Sequence, residues 1–106
     1  MKISFIRDKV RFGEYDLSAH AHRERQEEQI TIEEMEQVLL KGAIIEQYPG
    51  DVRGESCLVA GRFEGKPLHV VCGRRDERLL IVTLYRPKPP IWISLKKRAK
   101  ELKSRA

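Results

Sequence analysis

The segment from Cys57 to Gly73 constrains this chain more than any other. Two runs rich in apolar residues, Cys57 to Phe63 and Pro67 to Gly73, flank Glu64-Gly65. A two-residue loop ending in glycine predicts a tight antiparallel hairpin. With Phe63 opposite Lys66, the numbers of each facing pair sum to 129, so Cys57 faces Cys72 and Val59 faces Val70. Side chains alternate across a strand, which puts Cys57, Val59, Phe63, Leu68, Val70 and Cys72 on one apolar face, the core side. Arg62, Ala60, His69 and Val71 take the other face. A bulged loop at Gly65 would shift this register by one residue.

Ahead of the hairpin the period is helical. Ile3, Ile6 and Val10 at i, i+3 and i+7, with Gly13 as a C′ residue, predict a short helix, although Ile3-Ser4-Phe5 also suits a strand. Gly13-Glu14-Tyr15-Asp16 reads as a turn. Ser18 is an N-cap, and no Gly, Pro or β-branched residue follows until Ile30, so a helix runs to about Gln29. Thr31-Ile32-Glu33-Glu34 is a capping box in which Glu34 reaches back to the Thr31 amide, with Ile30 and Met35 as a hydrophobic staple. Ile32, Met35, Val38 and Leu39 form the stripe of a further helix, ended by Gly42 at C′.

After Gly42 the period becomes two. Ala43 to Tyr48 is a strand stopped by Pro49-Gly50, and Asp51 to Ser56 is a charged loop. Arg78 to Arg86 is the last strand, with Leu80, Val82 and Leu84 assigned to the core and Leu79, Ile81, Thr83 and Tyr85 opposite. That assignment requires an odd-length connection after Gly73. Pro87-Lys88-Pro89-Pro90 can join neither ladder nor helix and forms an extended strap, anchored by Trp92. Leu95 to Ala106 is a basic helix or a frayed tail. The class expected is α+β, with N-terminal helices packed on one face of a four-stranded antiparallel sheet. One domain spans 1–92 and a basic C-terminal tail spans 93–106.

A length of 106 residues suits one core and not two. Residues 1–50 hold 7 Lys+Arg against 10 Asp+Glu, whereas 51–106 hold 14 against 6, so the net charge of +5 is concentrated in the second half. The basic half suits an anionic partner or a solubilising tail, and the acidic half a basic partner. No apolar run has the length of a membrane span, and Met1 to Phe12 is too charged for a secretory signal, so a cytoplasmic protein without membrane contact is expected. Two cysteines are too few for a disulfide scaffold.

The chemistry-bearing residues form two groups. Leu17 to Arg25 holds His20, His22, Arg23 and Arg25 at the start of a helix. His20 and His22 point about 200° apart around that helix, so only one can serve a given ligand. On the sheet, Arg62, His69, Thr83 and Tyr85 share the face away from the core, with Arg74 and Arg75 at its rim. Cations, an imidazole and a phenol suit an anion and proton transfer; a half-buried histidine among solvated neighbours is the structural alternative. Cys57 and Cys72 read as buried thiols or a cross-strand disulfide. A metal site with His20, His22 or His69 lacks any short-spaced zinc signature, and no cofactor is implied.

Several motifs in fixed order follow one pattern. They are Ser18-x-His20-Ala21-x-x-x-Arg25 before Ile30-Thr31, Leu40-x-Gly42-x-Ile44-Ile45-Glu46-x-Tyr48-Pro49, Cys57-Leu58-Val59-x-Gly61, Pro67-Leu68-His69-Val70-Val71 and Val82-Thr83-x-Tyr85-x-Pro87. Over about Arg7 to Trp92 the chain resembles the prokaryotic family called domain of unknown function 4258, which is similar to RelE/ParE-type toxins. The resemblance implies a RelE/ParE-like fold and the toxin component of a toxin–antitoxin system, a metal-independent ribonuclease acting on mRNA (mRNA interferase type). RNA or the ribosome, and a small antitoxin encoded nearby, are the implied partners. The family pattern has an arginine where this chain has Glu24. In such an enzyme His20 or His69 moves protons, Tyr85 stacks a base or donates a proton, and Arg25 and Arg23 with Arg62 hold phosphate. Arg74, Arg75, Lys96, Lys97 and Arg98 supply further RNA affinity. The alternative is a non-catalytic protein- or nucleic-acid-binding module.

Overall fold

The structure is a computed structural model that describes residues 1–88. Trp92, Lys96, Lys97, Arg98 and the tail assigned to 93–106 lie outside the described residues. Within 1–88 the order is α1 (Ile3–Arg11), β1 (Tyr15–Leu17), α2 (Ala19–Glu27), α3 (Ile32–Lys41), β2 (Ala43–Tyr48), β3 (Ser56–Phe63), β4 (Lys66–Arg75) and β5 (Arg78–Tyr85).

Helix ends follow local chemistry. At the end of α1 the Gly13 amide bonds the Val10 carbonyl and the Glu14 amide bonds the Lys9 carbonyl, a Schellman closure that places Gly13 at φ +67°. Helix α2 ends the same way, before the expected Gln29. Gln29 itself takes φ 55°, and the Ile30 amide bonds the Arg25 carbonyl at 2.8 Å. At α3 only half of the expected capping box forms. Thr31 Oγ1 accepts from the Glu34 amide at 3.0 Å, but the Glu34 carboxylate turns inward to Arg86, at 2.6 and 3.0 Å from Nη1 and Nη2. Gly42 closes α3 in an extended, not left-handed, conformation. Its glycine identity answers to space, since a Cβ there would stand 2.5 Å from the carbonyl oxygens of both Ala60 and Val38.

The hairpin folds as read. Glu64 and Gly65 both take positive φ, the signature of a type I′ turn, and Phe63↔Lys66, Val59↔Val70 and Cys57↔Cys72 are partners in an unbroken register. The sheet as a whole corrects the four-stranded antiparallel expectation. Among the described residues it has five strands in the order β1-β5-β4-β3-β2, and β1 runs parallel to β5 while the other pairs are antiparallel. Strand β1 has three residues, too few to show a period, and it reads as a turn until its distant partner is known. Tyr15, Asp16 and Leu17 pair with Leu79, Leu80 and Ile81, and Arg78 locks the edge by donating to both Asp16 carboxylate oxygens at 3.0 and 3.2 Å.

The faces of β5 need a second correction. Leu79, Ile81 and Leu84 are fully buried in the core, whereas Leu80 and Val82 are not. The connection after β4 is the even turn Asp76-Glu77, because Arg75 pairs with Arg78. The register then slips, Val71 facing Thr83 but Cys72 facing Ile81, so Val82 is an extra residue. A bulge reverses inside and outside along the strand. Ile6, Val10, Ala21, Ile30, Met35, Val38 and Leu39 of the helical layer meet Cys57, Val59, Leu68, Val70, Cys72, Leu79, Ile81 and Leu84 of the sheet.

Candidate functional site

Helix α2 brings little apolar surface; Ala21 is its one buried residue. It is held by its cap instead. Ser18 Oγ accepts from the Ala21 amide at 3.0 Å and donates to the Val82 carbonyl at 2.7 Å, while the Ser18 amide donates to the Ile81 carbonyl at 3.0 Å. One hydroxyl therefore ties the helix start to the bulge in β5. With Ala21 turned to the core, His20 lies over the opposite sheet face, and its Nε2 stands 3.9 Å from Glu24 Oε1. His22 and Arg23 are exposed.

Beside His20 opens a cavity of about 410 Å³. Its floor is Val71, Gly73, Leu80 and Val82, the part of β4 and β5 that the bulge turns away from the core. Ser18 and His20 form one wall, and Asp51, Arg53, Gly54, Glu55, Ser56 and Arg75 the other. The second wall is a folded loop. The Arg53 amide bonds Asp51 Oδ1 at 3.0 Å, the Gly54 amide bonds the Asp51 carbonyl at 3.0 Å, and the Arg74 amide bonds the Glu55 carbonyl at 3.2 Å. Gly54 sits at φ +111° against the Arg74 carbonyl, a position suited to glycine alone. Arg75 Nη1 donates to the Arg53 carbonyl, and Arg53 Nε stands 3.9 Å from Asp51 Oδ1. Glu55 Oε2 is 3.5 Å from the Met1 ammonium. One imidazole, two guanidinia and the Asp51 carboxylate thus ring an apolar floor, an arrangement able to hold an anion carrying a flat apolar group and to exchange protons with it.

The other sequence-selected residues are dispersed. His69 is fully buried on the same sheet face as the cavity floor. It faces Tyr85 across β4 and β5, with Nδ1 3.3 Å from the phenolic oxygen and the rings edge to face. Arg25 Nη1 donates to the Ile30 carbonyl at 3.1 Å and helps close α2. Arg62 is exposed beside the hairpin turn, donating to the Gly65 carbonyl at 3.3 Å. Arg74 and Arg75 part company, as neighbours on a strand must. Arg75 lines the cavity, while Arg74 stacks on the Phe5 ring 4.4 Å from its centroid, by α1. Of the selected residues, His20 and Arg75 share the cavity. Arg53 and Glu55 are the members that motif reading passes over, since they lie in a charged loop whose only local marker is Gly54.

Among the described residues, three helices and a five-stranded sheet make an α+β domain with a charged cavity beside α2. The profile of the family described as domain of unknown function (DUF4258) matches residues 17–86, and the chain belongs to that family. No curated protein and no solved structure matches it. Among the described residues, no helix is long and apolar enough to cross a membrane.

Proposed function

We propose that the chain is a metal-independent ribonuclease acting on mRNA, the RelE/ParE-like toxin component of a toxin–antitoxin pair, with the cavity beside α2 as its catalytic site. The observation that carries this reading is the company His20 keeps, since Asp51, Arg53 and Arg75 line the same cavity over an apolar floor. Cleavage at ribose needs a base for the 2′-hydroxyl, cations for the pentacoordinate phosphate and an acid for the leaving oxygen. Asp51 takes the 2′-hydroxyl proton, the 2′-oxygen attacks phosphorus, and His20 protonates the departing 5′-oxygen. The products are a 2′,3′-cyclic phosphate and a free 5′-hydroxyl. Arg75 and Arg53 meet the charge that develops on the phosphate oxygens, and Leu80 and Val82 offer a base an apolar surface. Arg23, Arg62 and the Lys96-Lys97-Arg98 stretch add salt-dependent affinity for the RNA backbone. The His69–Tyr85 pair is a second proton-carrying couple on the same sheet face.

The test is incubation of the purified protein with mRNA in EDTA, beside induction in a host without the neighbouring antitoxin gene. Wild type cuts the RNA and arrests growth, and His20→Ala and Asp51→Asn each lower the cleavage rate by about 100-fold or more. Intact RNA together with unaffected growth on wild-type expression would contradict the proposal. One observation favours a non-catalytic binding module instead: Arg75 and Arg53 already have the Arg53 carbonyl and Asp51 as internal partners. Salt-dependent RNA binding without cleavage, unchanged in His20→Ala, is the result that reading expects.

A further inference from the structure

We propose that Cys57 and Cys72 form a reversible intrachain disulfide when the protein meets a peroxide, making the β3–β4 ladder a site of oxidative modification. This proposal is independent of the ribonuclease reading. The two residues are direct partners across an antiparallel ladder that runs without a break from Ser56↔Gly73 to Phe63↔Lys66. The two-residue loop makes Phe63–Lys66 a hydrogen-bonded pair, and such pairs alternate, so Cys57–Cys72, six positions on, is of the same kind. Cα atoms in such pairs lie about 5.5 Å apart. That falls inside the roughly 4.4 to 6.8 Å over which disulfides form. Both side chains point to the core face, and both thiols are free and fully buried.

The pair is chemically asymmetric. A hydrogen bond from Cys72, aided by the Met1 ammonium, holds the Cys57 thiol below the ordinary range, and the same bond together with burial pushes Cys72 well above it. Cys57, the thiol that lies against Met1, is the attacking sulfur and Cys72 the resolving one. The Cys57 thiolate attacks a peroxide oxygen, breaking the O–O bond and leaving a sulfenic acid, with water as the other product. The Cys72 sulfur then attacks the sulfenic sulfur and a second water leaves. Overall, two thiols and one hydrogen peroxide give one disulfide and two waters. A dithiol reductant reverses the bridge by exchange.

Access is controlled by Met1. Its Sδ stands 4.0 Å from Cys57 Sγ, and Gln47 pins the residue by donating to the Met1 carbonyl and accepting from its ammonium, each at 2.7 Å. The experiment treats the folded protein with hydrogen peroxide, unfolds it, alkylates it and weighs it. The expected product has lost two hydrogens, takes no label and regains two labels after dithiothreitol. Gln47→Ala, which frees Met1, is bridged several-fold faster, and Cys72→Ala yields no bridge. Two labelled thiols after peroxide, a mass gain of oxygen without a bridge, or crosslinked dimers would overturn the proposal. A Gln47→Ala rate equal to that of wild type would overturn Met1 as the cover.

Discussion

Helices α2 and α3 follow one another, have nine and ten residues, and are capped by the same hydroxyl-to-amide bond, at Ser18 and at Thr31. Their anchoring differs. Helix α3 buries Met35, Val38 and Leu39 and the Glu34 carboxylate, whereas α2 buries Ala21 and is tied down by Ser18 and Arg25 through backbone carbonyls. A helix fixed by a few polar bonds at its ends leaves its flanks free of packing duties. On α2 those flanks carry His20, toward the cavity, and His22 and Arg23, toward solvent. The contrast separates a helix that builds the core from one that presents side chains.

The most severe way to test this contrast is to hollow out α3. Leu39→Ala leaves a void among fully buried neighbours and is expected to cost about 2–5 kcal/mol, read from urea unfolding midpoints. No exposed position of α2 can match it; His22→Ala should stay within about 0.5 kcal/mol. Next comes the inward carboxylate. Glu34→Ala strands Arg86 beside the Pro67 carbonyl, and because Arg86 is only partly buried the expected loss is about 2–3 kcal/mol, below the full cost of breaking a buried pair.

The caps offer a finer comparison. Thr31→Ala should cost about 1 kcal/mol as a simple cap, and Ser18→Ala closer to 2, because Ser18 also donates to the Val82 carbonyl. Equal losses would mean that the tie to the bulge contributes nothing. The smallest effect links the two regions through pH. Tyr15 of β1 donates to Glu36 of α3 at 2.5 Å, and burial first, then that carboxylate, push the phenol above its ordinary range. A raised folded value adds stability that is complete below the unfolded value of about 10 and is lost as pH rises through the folded one. The stability gap between wild type and Tyr15→Phe should therefore narrow from pH 9 to pH 11.

Legibility in the sequence tracks how local each cause is. The Ser18 and Thr31 N-caps, the buried Met35, Val38 and Leu39 of α3 and the Glu64-Gly65 hairpin are set within a few residues and fold as their residue types dictate, whereas Ile32 of the expected stripe stays exposed and Glu34 leaves the capping box for Arg86. The Cys57–Cys72 pairing follows because the hairpin loop fixes the register. Strand β1 escapes, since three residues carry no period and its partner lies at Leu79 to Ile81. The faces of β5 escape because a single bulge at Val82 offers apolar residues on both sides, so neither alternation looks wrong. The cavity was legible in its residues but not as a place. His20 and Arg75 stood out as types, whereas Arg53 and Glu55 reach it only through a loop seated on the Arg74 backbone.

In the proposed site, α2 presents His20, and not His22, to an anionic ligand in the cavity beside it. Histidine ring resonances can be followed by two-dimensional NMR while a short, non-cleavable RNA analogue with 2′-O-methyl riboses is titrated into the protein. The His20 signal is expected to shift saturably, and Arg75→Ala to weaken that shift, while His22 stays near its starting position. Movement of His22 equal to that of His20, or no movement of either at saturating RNA, would contradict it.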